Sequence, residues 1–371
     1  MTDSRTLQPA PRARLLSFDG GGIRGLFALQ YAKRIEKLLR EKSGNPHMVL
    51  ADHFHYIGGT STGAIIAAFI AWGLPVDRIE ELYKENARAM FQKSAWRHRF
   101  TSHRFVAEGL SAFLKNFFVE DDGSPATLGS AKLRSLLLVV TRNASTGSPW
   151  PISNNPHAKY NHPDSPGNNL QIPLWQLVRA STAAPTFFPP EVLTVKGDHG
   201  EPLTFAFEDG GVTPFNNPAH LLQLMATLPE YRLGWATGTD RLSLVSIGTG
   251  GTRLGRGDKL FVDILAQAKN LPSSLIGSFQ LYQDLLCRSY GHCKSGPPID
   301  SEIGDLIRPN KDARYLYARY DKTFNDADLL EAEKVTSRGF TLDNLELMDF
   351  LIQQGTRHAE QSVSLSHFDE P

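Results

Sequence analysis

Glycine placed between the end of a strand and the start of a helix constrains this chain more than any other feature. Arg14 to Phe18 (RLLSF) reads as a short strand, and Asp19-Gly20-Gly21-Gly22-Ile23-Arg24-Gly25 follows it directly. Leu26, Leu29, Ala32, Ile35 and Leu39 then recur at helical spacing, with Lys33, Arg34, Lys37 and Arg40 on the other face. Gly44 and Asn45-Pro46 stop that helix. A second strand, expected over His53 to Ile57, runs into Gly58-Gly59 and then into an apolar helix from Ala64 to Trp72. Strand, glycine turn and helix thus occur twice before Pro75, and that alternation specifies a mostly parallel sheet covered on both faces.

The pattern continues at lower density. A helical stretch runs from Pro75 to about Phe91, and further strands are expected at Leu136 to Thr141, Leu203 to Phe207 and Leu242 to Ile247. Residues 142 to 170 are rich in Asn, Ser, Pro and Gly and read as one long loop. From about Gly255 onward helices dominate, the clearest being Leu342 to Gln354, with Thr341 as N-cap and Gly355 past its end. The expected division is a disordered lead over 1–13, an α/β domain over 14–255 and a helical C-terminal extension over 256–371 packed on the same core.

Charge and cysteine content narrow the class of function. Thirty-nine basic and thirty-nine acidic residues cancel, so no global field draws the chain to a DNA or RNA polymer. Cys287 and Cys293 are the only cysteines and fit neither a redox nor a zinc spacing. With a polar start from Met1 to Arg14 and no signal-like apolar core, the expectation is a cytoplasmic protein. The longest apolar run, Ala64 to Leu74, is about half of the roughly 20 residues a bilayer-spanning helix needs. Any meeting with lipid is therefore expected to be peripheral, from the aqueous side.

Three motifs carry chemistry. The Asp19 to Gly25 run formally contains GxGxxG, the context of a dinucleotide fingerprint, but the second strand ends in glycine where a ribose-binding carboxylate would stand. A P-loop fails as well, since no Lys-Ser or Lys-Thr follows. What remains is a set of backbone N–H groups that can converge at a helix N-terminus, suited to an oxyanion, with a plain tight turn as the other reading. Gly59-Thr60-Ser61-Thr62-Gly63 fits G-x-S-x-G between strand and helix, where the nucleophile is pushed up and Gly59 and Gly63 make room for crowded backbone. Glu208-Asp209-Gly210-Gly211 puts a carboxylate at a strand end, on the edge where sites of parallel sheets form. An ordinary Asp-Gly turn would look the same.

Taken together and in order, these residues resemble the patatin-like phospholipases, whose pattern is D-G-G-G-x-R/K-G, then G-x-S-x-G, then D-G-G or D-G-A. Ala180-Ser181-Thr182-Ala183-Ala184-Pro185 is similar to the family's A-x-S-A-A-P block, and Asn216-Asn217-Pro218 and Ser246-Ile247-Gly248-Thr249-Gly250 fit as well. The resemblance covers roughly residues 14 to 250. It implies the family's α/β fold and a lipid acyl hydrolase with a Ser61–Asp209 dyad. The oxyanion would be held by Gly20, Gly21 and Gly22, with Arg24 and Gly25 completing the loop. In such a dyad the aspartate is itself the general base, so no histidine, cofactor, metal or calcium is expected.

Other readings stay open on residues alone. His47, His53 and His55, or Cys287, His292 and Cys293, could be taken as metal clusters, though no ligand pattern accompanies them. A nucleotide-binding oxidoreductase, a non-catalytic patatin-fold binding protein and a general non-lipid esterase are the competing functions. Some bacterial members of the resembled group are effectors in anti-phage signalling switched on by cyclic nucleotides. A phosphate-binding or membrane-facing patch is expected at Lys93, Trp96, Arg97, Arg99 and Arg104, where arginine charge interleaves with aromatic rings. The implied partners are membrane phospholipid at the inner membrane face, a cyclic dinucleotide activator and a second copy of the chain.

Overall fold

A computed structural model describes residues 8–9, 11–90, 108–162, 165, 167–185, 187–197, 200–252, 264–336 and 338–369. The basic-aromatic patch from Lys93 to Arg104 lies outside the described residues.

The chain opens with strand β1 (Ala13–Phe18), helices α1 (Gly25–Ser43) and α2 (Leu50–His53), strand β2 (Tyr56–Thr60) and helices α3 (Thr62–Ala71) and α4 (Val76–Met90). Helix α5 (Glu108–Phe117) leads to strands β3 (Leu136–Asn143) and β4 (Ser148–Ser153), helix α6 (Leu174–Ser181), and strands β5 (Glu191–Lys196) and β6 (Pro202–Asp209). Helix α7 (Ala219–Thr227), strands β7 (Leu242–Ile247) and β8 (Gly251–Thr252), and the long helix α8 (Ile264–Tyr290) follow. The chain closes with β9 (His292–Ser295), β10 (Leu316–Tyr320), β11 (Thr323–Phe324), α9 (Asp326–Val335) and α10 (Met348–Ser362).

The main sheet runs β5-β6-β3-β2-β1-β7-β10-β9, with β4 paired to β3. From β3 through β9 every neighbour pair is parallel, which matches the expected architecture. Strands such as Leu136-Leu137-Leu138-Val139-Val140, continuously apolar, and Leu242 to Ile247, with two serines, are buried throughout, as a sheet covered on both faces requires. One layer of core includes α1, α3 and α10; the other is built around α7 with Tyr56, Leu138, Leu244 and Tyr317. Every residue of α3 is buried, so the chain's most apolar run is core. Among the described residues no helix is long and apolar enough to cross a membrane.

Four expectations need correction. The second strand is Tyr56–Thr60, three residues later than expected, because Gly58 and Gly59 are ladder residues paired with β1 and β3 rather than a turn. The supposed loop over 142–170 contains β4, an antiparallel partner of β3 whose Pro149 and Pro151 hid it as turn composition. The last helix starts at Met348 after a 3-10 turn capped by Asn344, and Gly355 lies inside it. A Cβ there would meet Gln30 Cγ at 2.8 Å and the Phe27 carbonyl at 3.0 Å, so Gly355 permits α10 to press on α1 and does not end a helix. Finally, the C-terminal third is helical but also supplies β10 and β9, which extend the same parallel sheet beyond β7.

Candidate active site

The register of β3 explains why a serine and an aspartate 148 positions apart meet. Val140 pairs with Thr60 of β2 on one edge and Pro151 of β4 on the other, while Thr141 pairs with Trp150 of β4 and Asp209 of β6. Strands β2 and β6 therefore share one edge of β3 and run toward each other, ending head to head at Thr60 and Asp209. Asp209 does not end a parallel strand as expected: β6 is antiparallel, and reaches the same sheet edge from the opposite direction.

Ser61, the residue after β2, has φ 55° and ψ −125°. A non-glycine residue there costs about 1–3 kcal/mol of backbone strain, which packing on all sides must hold. Of residues 56–71 Ser61 alone is not buried. Its Oγ–H donates to Asp209 Oδ2 at 2.5 Å, and the Gly211 N–H donates to Oδ1 at 2.6 Å. Asp209 is 4% exposed, and burial raises its pKa to about 6 against the opposing effects of the Ser61 and Gly211 hydrogen bonds and the Arg179 charge. Neither Ser61 nor Asp209 hydrogen-bonds to a histidine among the described residues.

The elbow is held by residues to which the sequence assigns no role. Ser181, buried at the end of α6, accepts the Ser61 N–H at 2.9 Å and donates to the Val140 carbonyl at 2.6 Å. Thr60 Oγ1 donates to the Phe215 carbonyl at 2.7 Å. Tyr83 of α4 spends its proton on the Gly22 carbonyl at 2.6 Å, so the Thr62 hydroxyl, 2.5 Å from the same phenol oxygen, is the donor in that pair. Elbow and glycine loop are thereby tied through one phenol. The A-x-S-A-A-P block was the available signal for Ser181; Tyr83 stands in an ordinary amphipathic helix and gave none.

The glycine loop lies against the nucleophile: a Cβ on Gly20 would come within 3.1 Å of Ser61 Cβ. A Cβ on Gly21 would run into the Thr249 side chain, and one on Gly63 into the carbonyls of Phe18 and Asp19. Gly25 would meet Thr62 Oγ1 at 2.7 Å. The donors differ from the expected set. Gly20 N–H is occupied by the Asn216 carbonyl at 3.0 Å, and Gly25 N–H by the helical turn before it. Among the described residues no acceptor takes the N–H of Gly21, of Gly22 or of Thr62, the first residue of α3. The Arg24 guanidinium braces the loop, donating to the Gly250 carbonyl at 2.6 Å and the Gly21 carbonyl at 3.4 Å. Its pKa is lowered by burial, with Asp321 and Asp19 working the other way.

The two histidine and cysteine groupings form no site. Among the described residues no three His, Cys, Asp or Glu side chains are placed to hold a metal. Burial lowers the pKa of His53 to about 3 and of His55 to about 4, as for core histidines kept neutral, and His55 Nδ1 accepts the Arg14 N–H. Cys287 and Cys293 are free buried thiols.

The patatin-like phospholipase family model matches residues 16–222. A cGAMP-activated phospholipase of Vibrio cholerae is 26% identical over 347 residues, covering 88% of this chain and 89% of that protein. Patatin-T5 of Solanum tuberosum is 28% identical, covering 64% of this chain and 60% of its own length. Calcium-independent phospholipase A2-gamma of Mus musculus is 30% identical over 64% of this chain, which spans only 28% of the mouse protein. A family match over more than half the residues, running from the first strand past the aspartate, decides the kinship: this chain belongs to the patatin-like phospholipase family.

Proposed function

We propose that the chain hydrolyses fatty acyl esters of glycerophospholipids, with Ser61 as nucleophile and Asp209 as its sole base. The observation that carries this reading is the 2.5 Å Ser61–Asp209 hydrogen bond at a strained strand-to-helix elbow, facing a glycine loop with unspent N–H donors. Ser61 Oγ attacks the ester carbonyl as its proton passes to Asp209 Oδ2. The negative charge that develops on the carbonyl oxygen is held by the N–H groups of Gly21 and Gly22, ahead of α1, and of Thr62, at the positive end of α3. Asp209 returns the proton to the leaving alcohol, and water then repeats the sequence to release the fatty acid. A carboxylate raised to about 6 is charged at neutral pH yet more basic than an ordinary aspartate, which suits both proton transfers.

Replacing Ser61 by Ala or Asp209 by Asn is expected to lower turnover about 10,000-fold or more, because members of such a unit fail together. An Asp209→Asn protein keeping a tenth of wild-type turnover on dispersed phospholipid would refute the dyad.

A second layer, control by a cyclic dinucleotide in anti-phage signalling, rests on the span of one relative. Similarity to the cGAMP-activated phospholipase runs over 88% of the chain, whereas similarity to the potato patatin covers 64%. A ligand-free enzyme of low activity at the inner membrane face, raised at least tenfold by a cyclic dinucleotide, is the expected behaviour. Hydrolysis of phospholipid vesicles with and without a panel of cyclic dinucleotides, beside a binding titration, tests it. Full activity without ligand and no binding would leave a constitutive acyl hydrolase.

A further inference from the structure

The family match ends at residue 222, but the glycine loop is anchored from far beyond it. Arg319 of β10 is 3% exposed and uses both ends of its guanidinium on the first residue of the loop. Nη1 donates to Asp19 Oδ1 at 2.9 Å and Nη2 to Oδ2 at 2.6 Å, a fork-to-carboxylate geometry. The same two nitrogens also reach Ser246 Oγ at 2.7 Å and Asp321 Oδ2 at 2.6 Å. Asp321 Oδ1 accepts the Gly250 N–H at 3.0 Å, and the Gly250 carbonyl accepts from Arg24, whose Nε also reaches the Gly21 carbonyl. Arg319 thereby holds the start of the loop directly through Asp19 and its far end through Asp321, Gly250 and Arg24. Gln280 of α8 adds a bond to Asp19 at 3.1 Å, and the Leu342 carbonyl takes the Ile23 N–H at 2.9 Å. Burial works against the Arg319 charge, but the carboxylates of Asp19 and Asp321 prevail and hold its pKa well above the usual value.

We infer that Arg319 is a positioning residue for the oxyanion donors, so that the C-terminal third is part of the catalytic apparatus. The inference rests on the Ser61–Asp209 reading and extends it. Donors placed for a transition-state oxyanion act on kcat and leave ground-state binding alone. A loop that keeps its fold but loses its clamp therefore loses kcat at constant KM.

The test compares wild type, Ser61→Ala, Arg319→Lys, Arg319→Gln and the double variant Asp19→Asn/Arg319→Gln on a soluble chromogenic ester, with urea unfolding of each. Arg319→Gln strands a buried carboxylate and is expected to be strongly destabilised. The double variant removes both charges, so its stability returns toward wild type while kcat stays down about 100-fold, the scale of one oxyanion donor, with KM within about threefold. Arg319→Lys keeps the charge but loses the fork, and should fall between wild type and the double variant on kcat, again without a change in KM. If kcat recovers together with stability in the double variant, or if Arg319→Lys turns over like wild type, Arg319 is merely structural and the inference falls. If Ser61→Ala retains turnover, the dyad reading itself fails, and that result is distinct from either.

Discussion

In the proposed dyad an aspartate acts alone on a serine proton, which works only as far as its basicity is raised, and burial raises that of Asp209. With a pKa of about 6, Asp209 must lose its proton before it can act, so kcat/KM should fall about tenfold per pH unit below pH 6 and level off above it. A profile on a chromogenic ester between about pH 4.5 and 8.5 checks this, and an inflection near 4 would show that the site is wetter than its geometry implies. The same shift is a statement about stability. The folded state holds the Asp209 proton more tightly than the unfolded chain does. Its contribution is thus fully present below about pH 4 and is lost as pH rises through about 6. The distance from 3.8 to about 6 corresponds to about 3 kcal/mol at neutral pH, a cost to the fold from the side chain that the proposed dyad requires. Asp209→Asn should therefore unfold at higher urea than wild type at pH 7.5, with a gain of about 1–3 kcal/mol, while being inactive. Equal or lower stability would mean that the amide cannot replace both hydrogen bonds.

At the scale of elements, the candidate site is a meeting of strand ends, and Ser181 makes the joint. Its hydroxyl links the Ser61 N–H to the Val140 carbonyl, so one side chain from α6 registers the elbow against β3. Ser181→Ala should cost about 1–3 kcal/mol for the two buried groups left without a partner. It should also lower kcat about 10- to 100-fold through a displaced nucleophile. Parallel measurement of urea midpoints and ester turnover checks it, and loss of stability without loss of kcat would remove Ser181 from the site. What was legible in the sequence follows the same line. Ser61, Asp209 and the glycine loop could be read because each is short, local and tied to a strand end. The antiparallel sense of β6 could not, since direction is set by pairing with β3 and leaves no mark on PLTFAFED itself. Strand β4 is hidden by its prolines, and β10 (LYARY) by the charged residue at its fourth position. Arg319 looks like a surface position until Asp19, 300 positions away, is known to neutralise it.

For the whole molecule, the consequence is that the expected boundary near residue 255 should not behave as a place where the protein can be cut. Strand β7, buried along its length, has β1 on one edge and β10 on the other, in register from Ser243↔Leu316 to Ile247↔Tyr320. A fragment ending at 255 would expose that second edge as an apolar pairing template. It would also strip α10 from α1, where Gly355 allows close contact with Phe27 and Gln30, and would leave the buried Asp19 carboxylate without Arg319. Loss of one partner of a buried pair alone costs about 3–5 kcal/mol, a large share of the roughly 5–15 kcal/mol by which domains are stable. The 1–255 fragment holds Ser61, Asp209, the glycine loop and the entire family match, yet is expected to be insoluble or unfolded and without ester hydrolysis. Soluble yield, circular dichroism and turnover of the fragment beside the full chain decide the matter. A folded, active fragment would show that the C-terminal third is an accessory layer and that the glycine loop holds its shape without Arg319.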